Sequence, residues 1–398
     1  MIKKINIYLL IYFTFLLLFS FFFLFIKHDV GNDSTISEWI INYEGGFTKR
    51  GLIGQLAIIQ ARILEIELRV SILIFQISII TIYFILLFIL FKKLKFNKII
   101  ILSIFTPIFI LYPIAEIEVL ARKEIIIFCL FLIYILIPRN YKIKNFLFII
   151  FTSLSVLIWE PVIFFFPLFL LLEILERNIE KFNLETLKIL FYITPSIFIA
   201  LIFIFHPLSK EEWTIMANVL KNEFSQNCYM SCDLLRSKSS LLQQFQGNFG
   251  KYSVEVFVRY ILIILVGFYP LLVLLDNSSL KNNDLFIFKY FLKPIYPTLI
   301  SLMPVFLLFA MGYDWGRWVN ISYVFLIIFY FYLYNKKIII LDYHKLKNNF
   351  LSKISKKLFI TLFILYCFGW NPKTVITGDI ASFPGYRIPY KVFKILSN

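Results

Sequence analysis

The chain has 398 residues, 60% of them hydrophobic and only 16% charged, with a mean hydropathy of +0.83. Soluble domains run nearer 45–50% apolar, so the excess must face lipid or other buried helices, and a large soluble domain is excluded. The net charge of +16 would suggest nucleic acid on a soluble protein, but no basic-aromatic module that could read bases is present.

Taken in chain order, apolar runs of bilayer-spanning character fall at about 7–26, 70–91, 99–113, 124–138, 146–159, 161–175, 189–206, 254–275, 295–311, 319–334 and 358–371. This reads as an all-α, polytopic transmembrane helical bundle of about 11 spans. Alternating ten-residue strands are absent, which argues against a barrel. The first run follows Lys3 and Lys4 but is too long for a signal-peptide core and lacks a small-residue cleavage site, so it reads as a retained span. The pair 146–159 and 161–175 could instead be one long helix kinked at Pro161.

Charge distribution favours two helices there. With the N-terminus cytoplasmic, the inside segments and adjoining span ends hold 22 Lys/Arg against 7 Asp/Glu, and the outside ones 18 against 17, as the positive-inside rule requires. A single span would move Lys336, Lys337 and the Lys345–Lys357 cluster outside. The expectation is one integral membrane domain over 1–398 in the inner (plasma) membrane. Its outside loops are 27–69 and 207–253, and the C-terminal tail 372–398 is also outside. Nearly all unusual polar and charged residues then gather on the non-cytoplasmic face.

Outside loop 27–69 contains Glu44-Gly45-Gly46-Phe47-Thr48-Lys49-Arg50-Gly51-Leu52-Ile53-Gly54. The glycines permit tight turns, and Lys49 and Arg50 precede a helix expected over Leu52–Leu64. A helix start with adjacent cations suits phosphate, while the apolar spacing suits a helix at the membrane interface. Arg122-Lys123-Glu124 stands at the outer end of the fourth span, just after Glu116 and Glu118. It reads as an anion-holding group or as charges snorkelling to the surface. Trp159-Glu160-Pro161 places an acid between apolar runs, where ionisable groups are costly and often functional. A Trp beside an outer-face acid suits sugar stacking and general-base chemistry, or an interfacial belt turn. In Tyr313-Asp314-Trp315-Gly316-Arg317-Trp318, Asp314 and Arg317 are three apart and can pair on one helical turn. The arginine can bind phosphate bidentately; a structural ion pair in an aromatic turn is the alternative.

Asp33, Glu38, Asp233, Arg236 and Arg259 are weaker candidates, and His206, before Pro207, reads as structural. Cys129 and Cys367 sit in apolar runs; Cys228 and Cys232 lie together in the second outside loop, compatible with a disulfide if that side is oxidising or with two free thiols. No metal-site spacing, nucleotide-binding glycine pattern or Ser-His-Asp arrangement is present, and no cofactor is expected.

The four elements Gly-Gly-Phe-Thr-Lys-Arg-Gly-Leu-Ile-Gly, Arg122-Lys123-Glu124, Glu160 and Asp314-Trp315-Gly316-Arg317-Trp318, in that order over most of the chain, resemble a group of bacterial multi-span proteins. That group is similar, more distantly, to surface-polysaccharide (Wzy-type) polymerases and GT-C membrane glycosyltransferases. The resemblance implies a GT-C-like architecture and glycosyl transfer from or onto a polyprenyl-diphosphate-linked glycan at the outer face. Catalytic roles would fall to Glu160, Asp314 and Arg317. Substrate-binding roles would fall to Glu44, Lys49, Arg50, Arg122, Lys123, Trp159 and Trp315, with Asp33 or Glu44 standing for the first-loop acid of GT-C enzymes. Membrane lipid and polysaccharide-assembly proteins would be its partners. A single-sugar transferase using a polyprenyl-phosphate donor, a lipid-linked glycan flippase and a non-catalytic assembly subunit are the alternatives.

Overall fold

The computed structural model describes residues 2–30, 34–120, 122–139, 143–236, 241–282, 291, 293–376 and 396–397. The candidate Asp33 and most of the tail beyond Ile376 lie outside these residues. Among the described residues the fold is all-helical apart from one short two-stranded sheet.

Among the described residues five helices are long and apolar enough to cross a membrane: α1 (Ile2–Lys27, apolar from Asn6), α3 (Leu68–Phe91), α8 (Leu184–Phe205), α10 (Val254–Asp276) and α12 (Trp315–Asn335). Shorter apolar helices are α2 (Gly51–Leu64), α5 (Glu124–Leu136), α6 (Lys144–Ile158) and α11 (Ile295–Met311). Between these lie α4 (Lys98–Phe105), α7 (Phe166–Arg177) and the polar α9 (Lys210–Phe224); α13 (Lys356–Phe368) follows α12.

The expected span 99–113 is interrupted. Its helix ends at Phe105, the backbone extends at Thr106 before Pro107, and a separate short helix occupies Leu111–Ala115. A residue preceding proline is pushed out of the helical region, and Thr106 sits there with ψ 141°.

The question of one kinked helix or two over 146–175 is answered by contacts. Trp159 adopts φ −156°, ψ 100°, a 3-10 turn covers Glu160–Phe165, and α7 then runs back along α6. Phe151 packs on Phe169, and Arg177 Nη2 at the end of α7 donates to Asn145 Oδ1 at the start of α6 (2.9 Å). The pair is an antiparallel hairpin with Glu160 at its bend.

α12 is the central pillar. Every residue from Trp315 to Leu333 is buried, whereas α1 and α8 leave most of their apolar surface outward. A helix surrounded by protein can carry polar groups if each finds a partner. Asn320 donates to the carbonyls of Ile108 and Phe109, Tyr323 to that of Ser103, and Tyr332 to Glu176. The carbonyls at 108 and 109 lie beyond the break at Thr106; Asn320 serves that of Ile108 and shares that of Phe109 with the Tyr112 N–H (3.2 Å). The far ends of α10 and α12 are tied by antiparallel strands β1 (Ser278–Leu280) and β2 (Ile339–Leu341), with Ser278 opposite Leu341.

The hairpin has a direct consequence for access. Single cysteines at Ile143 and Lys181, both exposed positions flanking it, are expected to react with a membrane-impermeant maleimide from the same side of the membrane; labelling from opposite sides would contradict the hairpin.

Candidate functional site

The segment Thr35–Asn42 is buried throughout. Its Glu38 carboxylate, 1% exposed, is the centre of an ion-pair cluster. A single oxygen, Oε1, accepts from Arg122 Nη1 (2.8 Å), Arg50 Nη1 (3.3 Å) and Arg317 Nη2 (3.4 Å). Arg317 also donates to Glu124 and, from Nη1, to Asp314 Oδ2 at 2.9 Å. Arg50 forks onto Glu160, with Nε–Oε2 at 2.9 Å and Nη2–Oε1 at 3.0 Å. Lys49 Nζ stands 3.9 Å from Glu160 Oε1, and Lys123 Nζ donates to the Arg50 carbonyl at 2.5 Å. Five cations and four carboxylates from five separate stretches of chain thus share one site.

Local structure aims each group. Arg50 holds φ 63°, ψ 8°, in the left-handed region, a conformation that costs a non-glycine residue about 1–2 kcal/mol and that clusters at functional positions. Glycine would sit there more easily; the side chain is what the position keeps. Immediately after it α2 begins, and at Gly54 any Cβ would lie 1.9 Å from the Ile41 carbonyl. Glycine is therefore the residue that lets the Glu38 segment lie against α2. Glu160 is delivered by the hairpin bend. Arg317 is fixed from behind by residues Trp370–Ile376: Gly316 N donates to the Thr374 carbonyl (3.2 Å), Ile376 N to that of Tyr313 (3.0 Å). Glu116 holds this strap through Asn371 (2.9 Å), Lys373 (2.9 Å) and Thr374.

The cluster has two layers. Glu38, Arg122, Lys123, Glu124 and Arg317 are buried, while Lys49, Arg50, Glu160 and Asp314 form a rim whose side chains are 21–42% exposed. Burial by itself would raise the Glu38 carboxyl, but Arg317, Arg122, Arg50 and Lys123 together hold it far below the usual carboxylate range. For Glu160 burial also pushes upward and is outweighed by Arg50 and Lys49, so it stays ionised. Burial drags the Lys123 ammonium down to about 7, against the opposing pull of Glu38. Glu38 Oε2, Glu124 Oε2 and Arg317 Nε are buried with no hydrogen-bond partner among the described residues. Beside Glu124, Arg317 and Asn320 is a cavity of about 20 Å³, room for roughly one water molecule.

Of the residues singled out from sequence, Lys49, Arg50, Arg122, Lys123, Glu160, Asp314 and Arg317 all come together here. Trp159 is buried beneath them with the Arg317 guanidinium 5.8 Å from its ring centre. Asp314 and Arg317 pair at i, i+3, but the aromatic motif they belong to opens α12 as a buried first turn rather than forming a loop. Glu44 lies elsewhere, accepting from Gln55 (2.8 Å) and Arg62 (2.8 Å), which also forks onto Glu223 and so ties the first loop to α9. Trp315 donates to the Phe309 carbonyl (2.7 Å) inside an aromatic group of Tyr252, Phe257, Tyr260 and Phe309. Arg259 is buried and donates to the Ile376 carbonyl; Arg236 lies over Trp213. α2 is not purely interfacial: Ile53, Ala57, Ile58 and Ala61 are buried by neighbouring helices.

Glu38, among the weaker candidates from sequence, lies inside Ile36-Ser37-Glu38-Trp39-Ile40-Ile41 and carries the same apolar-context signal as Glu160. The unusual charges are also not confined to the one expected face. A second buried network instead occupies the other end of α7, about 25 Å away along the helix rise. There Glu173 binds Tyr134, Arg177 (2.7 Å) and Arg139 (3.7 Å), and Glu176 binds Lys144 (2.7 Å) and Tyr332 (2.7 Å). Two carboxylates drawn into the bundle with α7 require this many donors.

Cys228 and Cys232 are joined in a disulfide. Their loop packs on the same side as the cluster: Ser37 Oγ donates to Ser231 Oγ (3.4 Å) and Arg69 to Gln226 and Tyr229.

No family model matches this chain, and neither does any curated protein or solved structure.

Replacing Glu38 with Gln would take from the buried Arg122 guanidinium the carboxylate it pairs with and is expected to lower unfolding stability in detergent by about 3–5 kcal/mol. Lys123 binds its proton less tightly folded than unfolded, so between pH 7 and roughly 10 the unfolded chain holds the extra proton. Thermal stability is therefore expected to rise with pH over that window, and Lys123→Met to flatten the rise.

Proposed function

We propose that this protein is a membrane-embedded glycosyltransferase of the polysaccharide-polymerase kind. It acts on polyprenyl-diphosphate-linked glycans at the outer face of the inner membrane, in surface-polysaccharide assembly. Its helices make about eleven crossings in a GT-C-like arrangement, with the N-terminus cytoplasmic and the C-terminus outside. The observation that carries the reading is the partly exposed rim of Lys49, Arg50, Glu160 and Asp314, backed by buried Arg122, Lys123 and Arg317.

A glycosyl donor on a lipid diphosphate leaves an anion behind. Cations placed where that charge develops stabilise the transition state, and a carboxylate takes the acceptor's proton. Glu160 accepts the proton of the acceptor hydroxyl. The new C–O bond forms at the anomeric carbon as its bond to the diphosphate oxygen breaks, and the bonding pair leaves with the diphosphate. Arg50 and Lys49 receive the departing charge; Arg317 and Asp314 hold their side of the site.

Two further features support this reading. The disulfide shares the cluster's side of the bundle, and disulfides persist in oxidising compartments. An apolar groove of about 370 Å³ between α10, α11 and α12, lined by Phe268, Leu299, Phe306, Phe309 and Val319, suits a lipid chain entering sideways from the bilayer.

In a deletion strain complemented with Glu160→Gln or Arg50→Gln, single lipid-linked repeat units are expected to accumulate without long chains, while wild type restores them. Glycans truncated within a repeat would instead mark a single-sugar transferase. An unchanged profile would remove glycan chemistry altogether and leave transport.

A further inference from the structure

Arg50 and Glu160 meet in the fork-to-fork geometry that a guanidinium also uses for phosphate. The rest of the site makes this pair different from its neighbours. Arg122 and Arg317 are buried and committed to Glu38 and Glu124. Arg50 alone among the three arginines keeps a side chain that is 21% exposed, and it is anchored twice over. Its Nη1 stays on Glu38, and its backbone carbonyl is held by Lys123. It can therefore lose Glu160 without losing its place. Glu160 is joined to the bundle by a bend of extended and 3-10 backbone, and Lys49 stands over the same carboxylate.

We propose that Glu160 is an internal placeholder for the substrate's anion. A diphosphate group binds to Lys49 and Arg50 by displacing the Glu160 carboxylate, and the displaced carboxylate becomes the free proton acceptor. This rests on the glycosyl-transfer reading for its substrate and adds to it the order of events. An empty site holds its base neutralised by a cation. Arrival of the lipid diphosphate takes that cation away, and only then does a competent base stand beside the acceptor hydroxyl. The exchange trades one fork-shaped ion pair for another, so the wild-type site binds the anion more weakly than its cations alone would.

The test is direct binding of inorganic pyrophosphate to the purified full chain in detergent, by calorimetry at fixed salt. Glu160→Gln is expected to bind pyrophosphate on the order of tenfold more tightly than wild type, because the competing carboxylate is gone. Arg50→Gln is expected to lose binding in either background. Equal or weaker binding by Glu160→Gln would overturn the proposal, as would unchanged binding by Arg50→Gln. Should Glu160→Gln not purify as a monodisperse species, Glu160→Asp, which keeps the charge but shortens its reach, is expected to tighten binding by roughly threefold, and no tightening there overturns it equally. The two readings separate cleanly. Tighter pyrophosphate binding with unaltered cellular glycans would keep the exchange and discard the glycan substrate. Lost glycan chains with no change in anion affinity would keep the substrate and discard the exchange.

Discussion

One carboxylate oxygen, Glu38 Oε1, shared by three guanidiniums, is the constraint on which the rest of this structure depends. Burying an ion in an apolar bundle is tolerable only when its partners are buried with it. Arg50, Arg122 and Arg317 come from the first loop, the segment before α5 and the first turn of α12, so satisfying Glu38 fixes three distant parts of the chain against one another. Arg317 then recruits Glu124 and Asp314, and Arg50 recruits Glu160 and with it the bend of the α6–α7 hairpin. The partly exposed rim inherits its positions from the buried hub.

The surrounding fold serves this arrangement. α12 is buried along nearly its whole length, so Arg317 at its start rests on a rigid post. The strap Trp370–Ile376 crosses that start so closely that a Cβ on Gly316 would lie 1.9 Å from the Lys373 carbonyl. At the opposite end of α7, Glu173 and Glu176 form a second buried network, with Arg177, Arg139 and Lys144 as their cations. The hairpin is thereby clamped at both ends while its bend remains at the partly open rim. The exchange proposed for Glu160 on this bend would then not require the bundle to unpack.

Much of this was legible from the sequence, and the physical reasons are specific. Long apolar runs such as those of α1, α3 and α10 announce themselves because the bilayer demands length. Glu160, Arg317 and the Lys49-Arg50 pair stood out because charge beside such runs is costly. The hidden parts depend on tertiary contact. Glu38 sits in as apolar a context as Glu160, but nothing in the sequence pairs it with three distant arginines. Glu44 and Trp315 belong to motifs that look functional, yet one ties a loop to α9 and the other fills an aromatic core. Thr106-Pro107 breaks an apolar stretch that hydropathy alone carries straight through, and the carbonyls at 108 and 109 beyond the break accept from Asn320, far along the chain.

The most direct measurement is a double-mutant cycle between Glu38→Gln and Arg317→Met, read as unfolding free energy of the purified protein in detergent. If Glu38 is the hub, removing both partners costs far less than the sum of the two single losses, with a coupling of about 2 kcal/mol or more. Additive losses, with coupling near zero, would show that the two groups do not depend on one another and would contradict the account.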